Sequence, residues 1–132
     1  MHLSNNNREI LLLTHGGWGQ VLTEKLTMIV GPVEGVTEIS LESTDSPESY
    51  MKRVEKKLNK MPSDCLVITD IAGGTPSNVA LQLSRKFNIH ILSGLNSIML
   101  IEAIMKKEEP FTNEIVNEIK NAAIENCKHL KI

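Results

Sequence analysis

Two polar residues stand where long apolar runs stop. Ile10, Leu11, Leu12 and Leu13 lead into Thr14-His15-Gly16-Gly17-Trp18-Gly19. Cys65, Leu66, Val67 and Ile68 lead into Thr69-Asp70 and then Ile71-Ala72-Gly73-Gly74-Thr75-Pro76-Ser77-Asn78. Short continuous apolar runs closed by glycine read as strands buried on both faces, as in a parallel sheet. Open α/β sheets bind ligands at the carboxyl ends of such strands. His15 is therefore expected just past a strand end, on a glycine-rich loop. There an imidazole can exchange a proton or carry a covalent group near neutral pH. A carboxylate from Asp70 would accept a hydrogen bond from Nδ1–H of His15, fixing the tautomer and leaving Nε2 as the exposed lone pair. Gly16, Gly73 and Gly74 would let backbone N–H groups approach an anion, and the helices that follow both strands would add their positive N-terminal ends. Thr14, Thr75 or Ser77 would donate from a hydroxyl. An imidazole nucleophile, an orienting carboxylate and a dipolar anion cradle suit reversible transfer of a phosphoryl group onto His15.

Taken singly, these features are ordinary. Thr14-His15-Gly16-Gly17 fits a tight turn with a surface histidine, Gly73-Gly74-Thr75-Pro76 a turn with a helix cap, and Asp70 a capping residue. Their meeting at one sheet edge would make a site of them. His2 in the polar N-terminus, His90 within a strand and His129 near the C-terminus are not candidates. Trp18 reads as a packed aromatic in preference to a partner contact.

The elements that must position the pair follow from periodicity and caps. Val21, Leu22, Leu26, Ile29 and Val30 recur at helical spacing, and Gly31-Pro32 closes that helix. Val36 to Leu41 alternates and predicts a second strand, less buried than the first. Ser46-Pro47 opens a helix to about Asn59, with Tyr50, Met51, Val54 and Leu58 inward. Its Lys52, Arg53, Lys56, Lys57 and Lys60 form a solvated face in preference to a docking surface. Thr75 is expected to cap a helix that starts at Pro76 and ends near Lys86, with Val79, Ala80 and Leu83 inward. Ile89 to Leu92 predicts a fourth strand. A helix follows from about Ser97 to Met105. Thr112 caps a last one to about Lys128, whose stripe is Ile115, Ile119, Ala122, Ala123 and Cys127. This βαβαβαβαα order implies an α/β fold: a single doubly wound domain over residues 1–132, with a mostly parallel, flavodoxin-like sheet and helices on both faces. Residues 1–7 read as a flexible N-terminus. With strand order 2-1-3-4, strands one and three flank the topological switch point, which brings His15 beside Asp70.

Composition removes other classes. The net charge is −2, with 14 basic against 16 acidic residues, so no overall attraction to nucleic acid or anionic lipid is expected. The chain holds one Trp, one Tyr and two Phe, too few for a base-stacking surface. No apolar run approaches the ~20 residues of a membrane span, and the polar N-terminus lacks the apolar segment of a signal peptide, so a cytoplasmic protein is expected. Cys65 and Cys127 lack metal-ligand spacing and read as free thiols. There is no GxxxxGK[ST] loop, no GxGxxG after a strand, no HExxH and no GxSxG elbow. Neither a nucleotide, a metal nor another cofactor is expected.

At Leu13-Thr14-His15-Gly16, Thr69 to Asn78, Ser93-Gly94-Leu95-Asn96 and Met99-Leu100-Ile101-Glu102, the sequence resembles the IIA domain of the mannose (mannose/fructose/sorbose) family of the bacterial phosphoenolpyruvate-dependent sugar phosphotransferase system. The resemblance covers nearly the whole chain, and the Thr69–Asn78 stretch is its most specific part. It implies that His15 is phosphorylated on Nε2 by the carrier HPr and passes the group to a IIB domain, and onward to a sugar entering through membrane IIC and IID subunits. It further implies that Asp70 is the orienting aspartate, that Thr75 lies near the phosphoryl group, and that the protein is a homodimer with its last helix and flanks as contacts. Ile98 stands where the family often has proline, and the Gly16-Gly17-Trp18-Gly19 loop is richer in glycine than expected. Ending at Ile132 without a fused IIB, the chain is expected to be a free-standing subunit.

Three other readings compete. A receiver-like domain phosphorylated on Asp70 needs a carboxylate cluster for Mg²⁺, and the first strand ends without an acid. A non-catalytic flavodoxin-like module binding an anionic metabolite would use the same cradle but has no need of a His–Asp pair. A phosphotransferase subunit serving dihydroxyacetone kinase shares the histidine but fits Gly73 to Asn78 less well.

Overall fold

The computed structural model describes residues 9–132. Residues 1–7, expected to be flexible, and His2 lie outside the described residues. The strands are β1 (Ile10–His15), β2 (Val36–Leu41), β3 (Cys65–Thr69) and β4 (Ile89–Ser93). All pair in parallel, in the order β2-β1-β3-β4. The helices are α1 (Trp18–Val30), α2 (Pro47–Leu58), α3 (Thr75–Leu83), α4 (Ser97–Lys106) and α5 (Asn113–Glu125).

The central strands bury both faces, which is why they are apolar from Ile10 to Leu13 and from Cys65 to Ile68. Ile10 and Leu12 of β1, with Leu66 and Ile68 of β3, face a core closed by α1, α4 and α5, where Leu26, Leu100, Phe111 and Ile119 meet them. Leu11, Leu13, Cys65 and Val67 face the other core, closed by α2 and α3 through Tyr50, Val54, Leu58, Val79 and Leu83. Each fully buried large side chain contributes about 1.5–3 kcal/mol, so the two inner strands anchor both layers. Burial raises the Cys65 thiol to a pKa of about 11, so it stays protonated and inert. Tyr50 donates from its hydroxyl to the Ile39 carbonyl at 2.7 Å, fixing α2 against β2.

Helix starts follow local chemistry. Ser46 caps α2 in a capping box with Ser49, Asn96 caps α4 by accepting from the Met99 amide, and Thr112 caps α5 by accepting from the Ile115 amide. Three boundaries differ from expectation. The cap of α3 is Gly74, with Thr75 the first helical residue, because Pro76 tolerates the second position as readily as the first. That helix also stops at Leu83, short of Lys86. The last helix stops at Glu125, and Cys127 is exposed beyond it. In α1, Leu26 is buried but Val21 and Ile29 are exposed, so the helix touches the sheet along a narrower stripe than its apolar content suggested.

The connections from β1 leave toward β2 on one side, whereas β3 lies on its other side. The gap above β1 and β3 is the switch point. Register places Leu13 opposite Thr69, so Asp70, just past the end of β3, comes level with Thr14 and within one residue of His15. No described helix is long and apolar enough to cross a membrane.

Candidate functional site

His15 is the last residue of β1, not the first of the loop, and lies opposite Leu41 of β2. The Asp70 amide donates to the Leu13 carbonyl at 3.2 Å, which carries the β1–β3 ladder one step past Thr69. Asp70 is thereby aimed back across β1. Its Oδ2 accepts from the His15 backbone amide at 2.8 Å, lies 2.9 Å from His15 Nδ1, and receives a long bond from Trp18 Nε1 at 3.4 Å. The Asp70 side chain is 2% exposed and that of His15 42%. One end of the ring is held by the buried carboxylate and the other reaches solvent. A carboxylate facing Nδ1 requires the proton there, so the neutral ring carries its lone pair on Nε2.

Burial would push the Asp70 carboxyl up, but the bonds from the His15 ring and amide, the charge of His15 and the Trp18 indole outweigh it. The carboxyl is held below its ordinary value. Asp70 Oδ1 is buried and has no partner among the described residues. The carboxylate's three described donors all fall on the other oxygen, Oδ2.

Gly74 closes the outer side of the imidazole. A Cβ on it would lie 3.1 Å from His15 Cε1 and 3.5 Å from Nε2, so only hydrogen separates this backbone from the free edge of the ring. Gly73 takes φ +86°, which glycine alone adopts without strain. No described hydrogen bond takes the amides of Gly73, Gly74, Thr75 or Ser77. They leave the positive end of α3 open beside Nε2. Thr75 is half-buried at the rim, and no described bond takes its hydroxyl.

Three expected donors are committed elsewhere. The Thr14 hydroxyl is fully buried and donates to Glu38, because Thr14 points into the α1 layer while His15 points the other way. Ser77 is buried. Its hydroxyl donates to the Ile71 carbonyl at 2.6 Å and sits 2.6 Å from Thr69 Oγ1, bracing the β3–α3 turn from beneath. The Gly16 amide donates to the Leu41 carbonyl at 3.2 Å, so this glycine serves the turn by its φ of +73°. The α1 terminus is partly occupied. Its Gly19 and Gln20 amides donate to Glu38 at 2.8 and 3.0 Å. No described bond takes the Gly17 or Trp18 amide. Yet the Glu38 carboxylate on the α1 end disfavours a second anion there, which makes the α3 end the better receiver.

Sequence reasoning passed over two residues of this site. Trp18 was read as packing, yet it is 40% exposed and bonds to Asp70. Glu38 falls within the alternating Val36 to Leu41 stretch, where nothing in the pattern singles it out. Its signal lies in the pairing: an acid facing the same side as Leu12, its register partner, must find donors or lie exposed.

A four-stranded parallel domain with an oriented imidazole at its switch point defines a small α/β protein of the flavodoxin-like class, built to present one histidine. The family follows from comparison: the chain belongs to EIIA-man, described as PTS system fructose IIA component, whose model matches residues 9–120. It is thus a IIA domain of the sugar phosphotransferase system, in which family members act in phosphotransfer. Among solved structures, phosphotransferase system component EIIA from Streptococcus agalactiae is similar at 27% identity, over 92% of this chain and 95% of that one, with a TM-score of 0.83. The mannose/sorbose specific IIA subunit from Enterococcus faecalis gives 22% identity, over 95% and 96% of the chains, with a TM-score of 0.87; at that identity it speaks for the fold alone. The PTS IIA protein associated with the fucose utilization operon of Streptococcus pneumoniae gives 25% identity, over 90% and 93%, with a TM-score of 0.76. Comparison with curated protein sequences gives no match.

Proposed function

We propose that the protein is a phosphocarrier that takes a phosphoryl group from phosphorylated HPr onto Nε2 of His15 and passes it to a histidine of a IIB domain. The observation that carries this reading is the one-sided hold on the imidazole: Nδ1 lies 2.9 Å from buried Asp70, and Nε2 faces the open end of α3 at Gly74. As the donor's P–N bond breaks, a P–N bond forms at Nε2. The Nδ1 proton stays in its bond to Asp70, whose charge offsets the electron loss of the ring. The α3 amides and the Thr75 hydroxyl receive the phosphoryl oxygens. Transfer to the IIB histidine is the same exchange reversed, so the reaction is nearly balanced at each step.

Asp70 is a poor acceptor in its own right. Its Oδ2 is occupied by three donors and its side chain is 2% exposed. A metabolite-binding module without chemistry would gain nothing from an oriented ring. Within this reading the protein works in the cytoplasm as a homodimer and serves membrane IIC and IID subunits only through IIB. The outer edge of β4, which no described strand pairs, and the exposed Ile124 and Leu130 support a second copy packing near α5.

The test is incubation with phosphoenolpyruvate, enzyme I and HPr. One phosphoryl group per chain is expected, labile in acid and stable in alkali, where an acyl phosphate would be lost. Label that persists in His15→Ala, or that alkali removes, overturns the reading.

A further inference from the structure

Glu38 lies outside the His15–Asp70 pair, yet its carboxylate gathers three donors, as many as that of Asp70. Oε2 accepts from the Thr14 hydroxyl and from the Gly19 amide at 2.8 Å, and Oε1 accepts from the Gln20 amide at 3.0 Å. These donors fall on both sides of one short segment. Thr14 immediately precedes His15, and Gly19 and Gln20 immediately follow Trp18. Between them, Gly16 and Gly17 take φ of +73° and +80° and carry no side chain with which to hold a conformation. The segment that carries both His15 and Trp18 is therefore clamped at its two ends by one side chain from the neighbouring strand.

The close fit at Gly19 shows how tight this clamp is. A Cβ there would sit 2.6 Å from Glu38 Oε2 and 3.2 Å from Leu12 Cδ1, so the helix can approach the carboxylate only because residue 19 is glycine. Gly16 and Gly17 supply the turn and Gly19 the approach, which accounts for the glycine content of the loop. Inside the clamp, His15 and Trp18 supply every described donor to Asp70 Oδ2. The placement of that oxygen against Nδ1 depends on where β1 ends and where α1 begins. Glu38 sets both.

We infer that Glu38 is a positioning residue for transfer at His15, acting through Thr14 and the first turn of α1 to hold the imidazole and the Trp18 indole on Asp70. The inference rests on the phosphocarrier reading. Misplacement of a reacting group by about 1 Å can cost on the order of 10²-fold in rate. Glu38→Ala removes all three bonds and should slow phosphoryl uptake from phosphorylated HPr by about 30-fold to 100-fold. Glu38→Gln keeps the volume but presents one carbonyl oxygen and an amide that cannot accept, so at least one bond is lost along with the charge on the helix end. A loss of about 3-fold to 10-fold is expected.

Trp18 is the only tryptophan in the chain, so its indole N–H gives a single resonance that reports the bond to Asp70. In both variants this resonance should move toward that of a free indole while backbone resonances of β3 and β4 stay in place. Loosening without repositioning would not move it selectively. Wild-type protein that takes up no phosphoryl group defeats the phosphocarrier reading itself. If the wild type is phosphorylated, a folded Glu38→Gln within about 2-fold of its rate overturns the inference, as does a slowed variant whose indole signal is unmoved. Should Glu38→Ala fail to fold, Glu38→Gln decides alone.

Discussion

Nδ1 of His15 lies 2.9 Å from Oδ2 of Asp70, the same oxygen that accepts the backbone amide of His15 at 2.8 Å. One carboxylate oxygen thus fixes a residue by its backbone and its side chain together. The ring cannot rotate about its first side-chain torsion without leaving an oxygen that its own backbone still holds. This double hold lets a 42%-exposed side chain present a single nitrogen to an incoming partner.

Replacing Asp70 by Asn should leave the fold intact and slow phosphoryl uptake on the order of 10²-fold. Asn can offer its carbonyl at the Oδ2 position, but its NH₂ then enters the buried place of Oδ1, which has no partner among the described residues. An unpaired buried donor costs about 1–3 kcal/mol. Loss of an orienting aspartate in a serine protease costs ~10⁴-fold. Exchange between two histidines is nearly balanced, so a smaller loss is expected here. Circular dichroism with rapid-quench uptake from phosphorylated HPr tests this, and a folded variant at the wild-type rate would show that Asp70 does not orient His15.

Gly74→Ala should separate stability from function. The backbone there has φ −87° and ψ 174°, open to any residue, so the thermal midpoint should hardly change. The new Cβ would sit 3.1 Å from Cε1 and 3.5 Å from Nε2, where the phosphoryl group must be received. Uptake should fall by about 10-fold or more. A well-folded variant with unimpaired uptake would place the accepting face elsewhere.

The opposite balance is expected of Gly19→Ala. Its Cβ would press on Glu38 Oε2 at 2.6 Å, and overpacking of this kind costs about 1–3 kcal/mol. Removing the obstacle with Glu38→Ala should make the two substitutions less costly together than the sum of each alone, because they share one contact. Urea unfolding of the four proteins reads the coupling. Simple additivity would mean that the approach of Glu38 does not dictate glycine at this position.

Asp70 should also appear in the pH dependence of stability. Its carboxyl is held below the ordinary 3.8 in the folded protein, so the unfolded chain binds the proton more readily. The stabilisation this supplies is complete above the unfolded value of ~3.9 and is lost as pH falls through the folded one. The stability gap between wild type and Asp70→Asn, measured by urea unfolding, should be constant from pH 7 to about 5 and narrow below about 4. A gap that widens on acidification would reverse the sign of the shift.

Much of this was legible in the chain. Apolar runs from Ile10 and Cys65 marked the two inner strands, Ser46, Asn96 and Thr112 stood at helix starts, and glycines marked the strand ends where His15 and Asp70 lie. These are local signals, written in neighbouring residues by burial, capping and backbone freedom. They sufficed for the strand order and for bringing the imidazole and the carboxylate to one edge.

Local signals do not say which donors a carboxylate will gather. Thr14, Ser77 and Gly16 had the chemistry to hold a phosphoryl group. Only packing turned Thr14 inward to Glu38, buried Ser77 against Thr69 and spent the Gly16 amide on Leu41. The part played by Glu38 depends on Leu12 pairing with Glu38 in the β1–β2 register, and on a glycine that lets α1 reach it. The sequence by itself determined that a histidine and an aspartate would meet at the switch point, because strand ends and chain order are written along the chain. Only the tertiary structure decided which helix end is left without a carboxylate beside that histidine, because Glu38 reaches the amides of α1 from a strand that is a neighbour in space and distant in sequence.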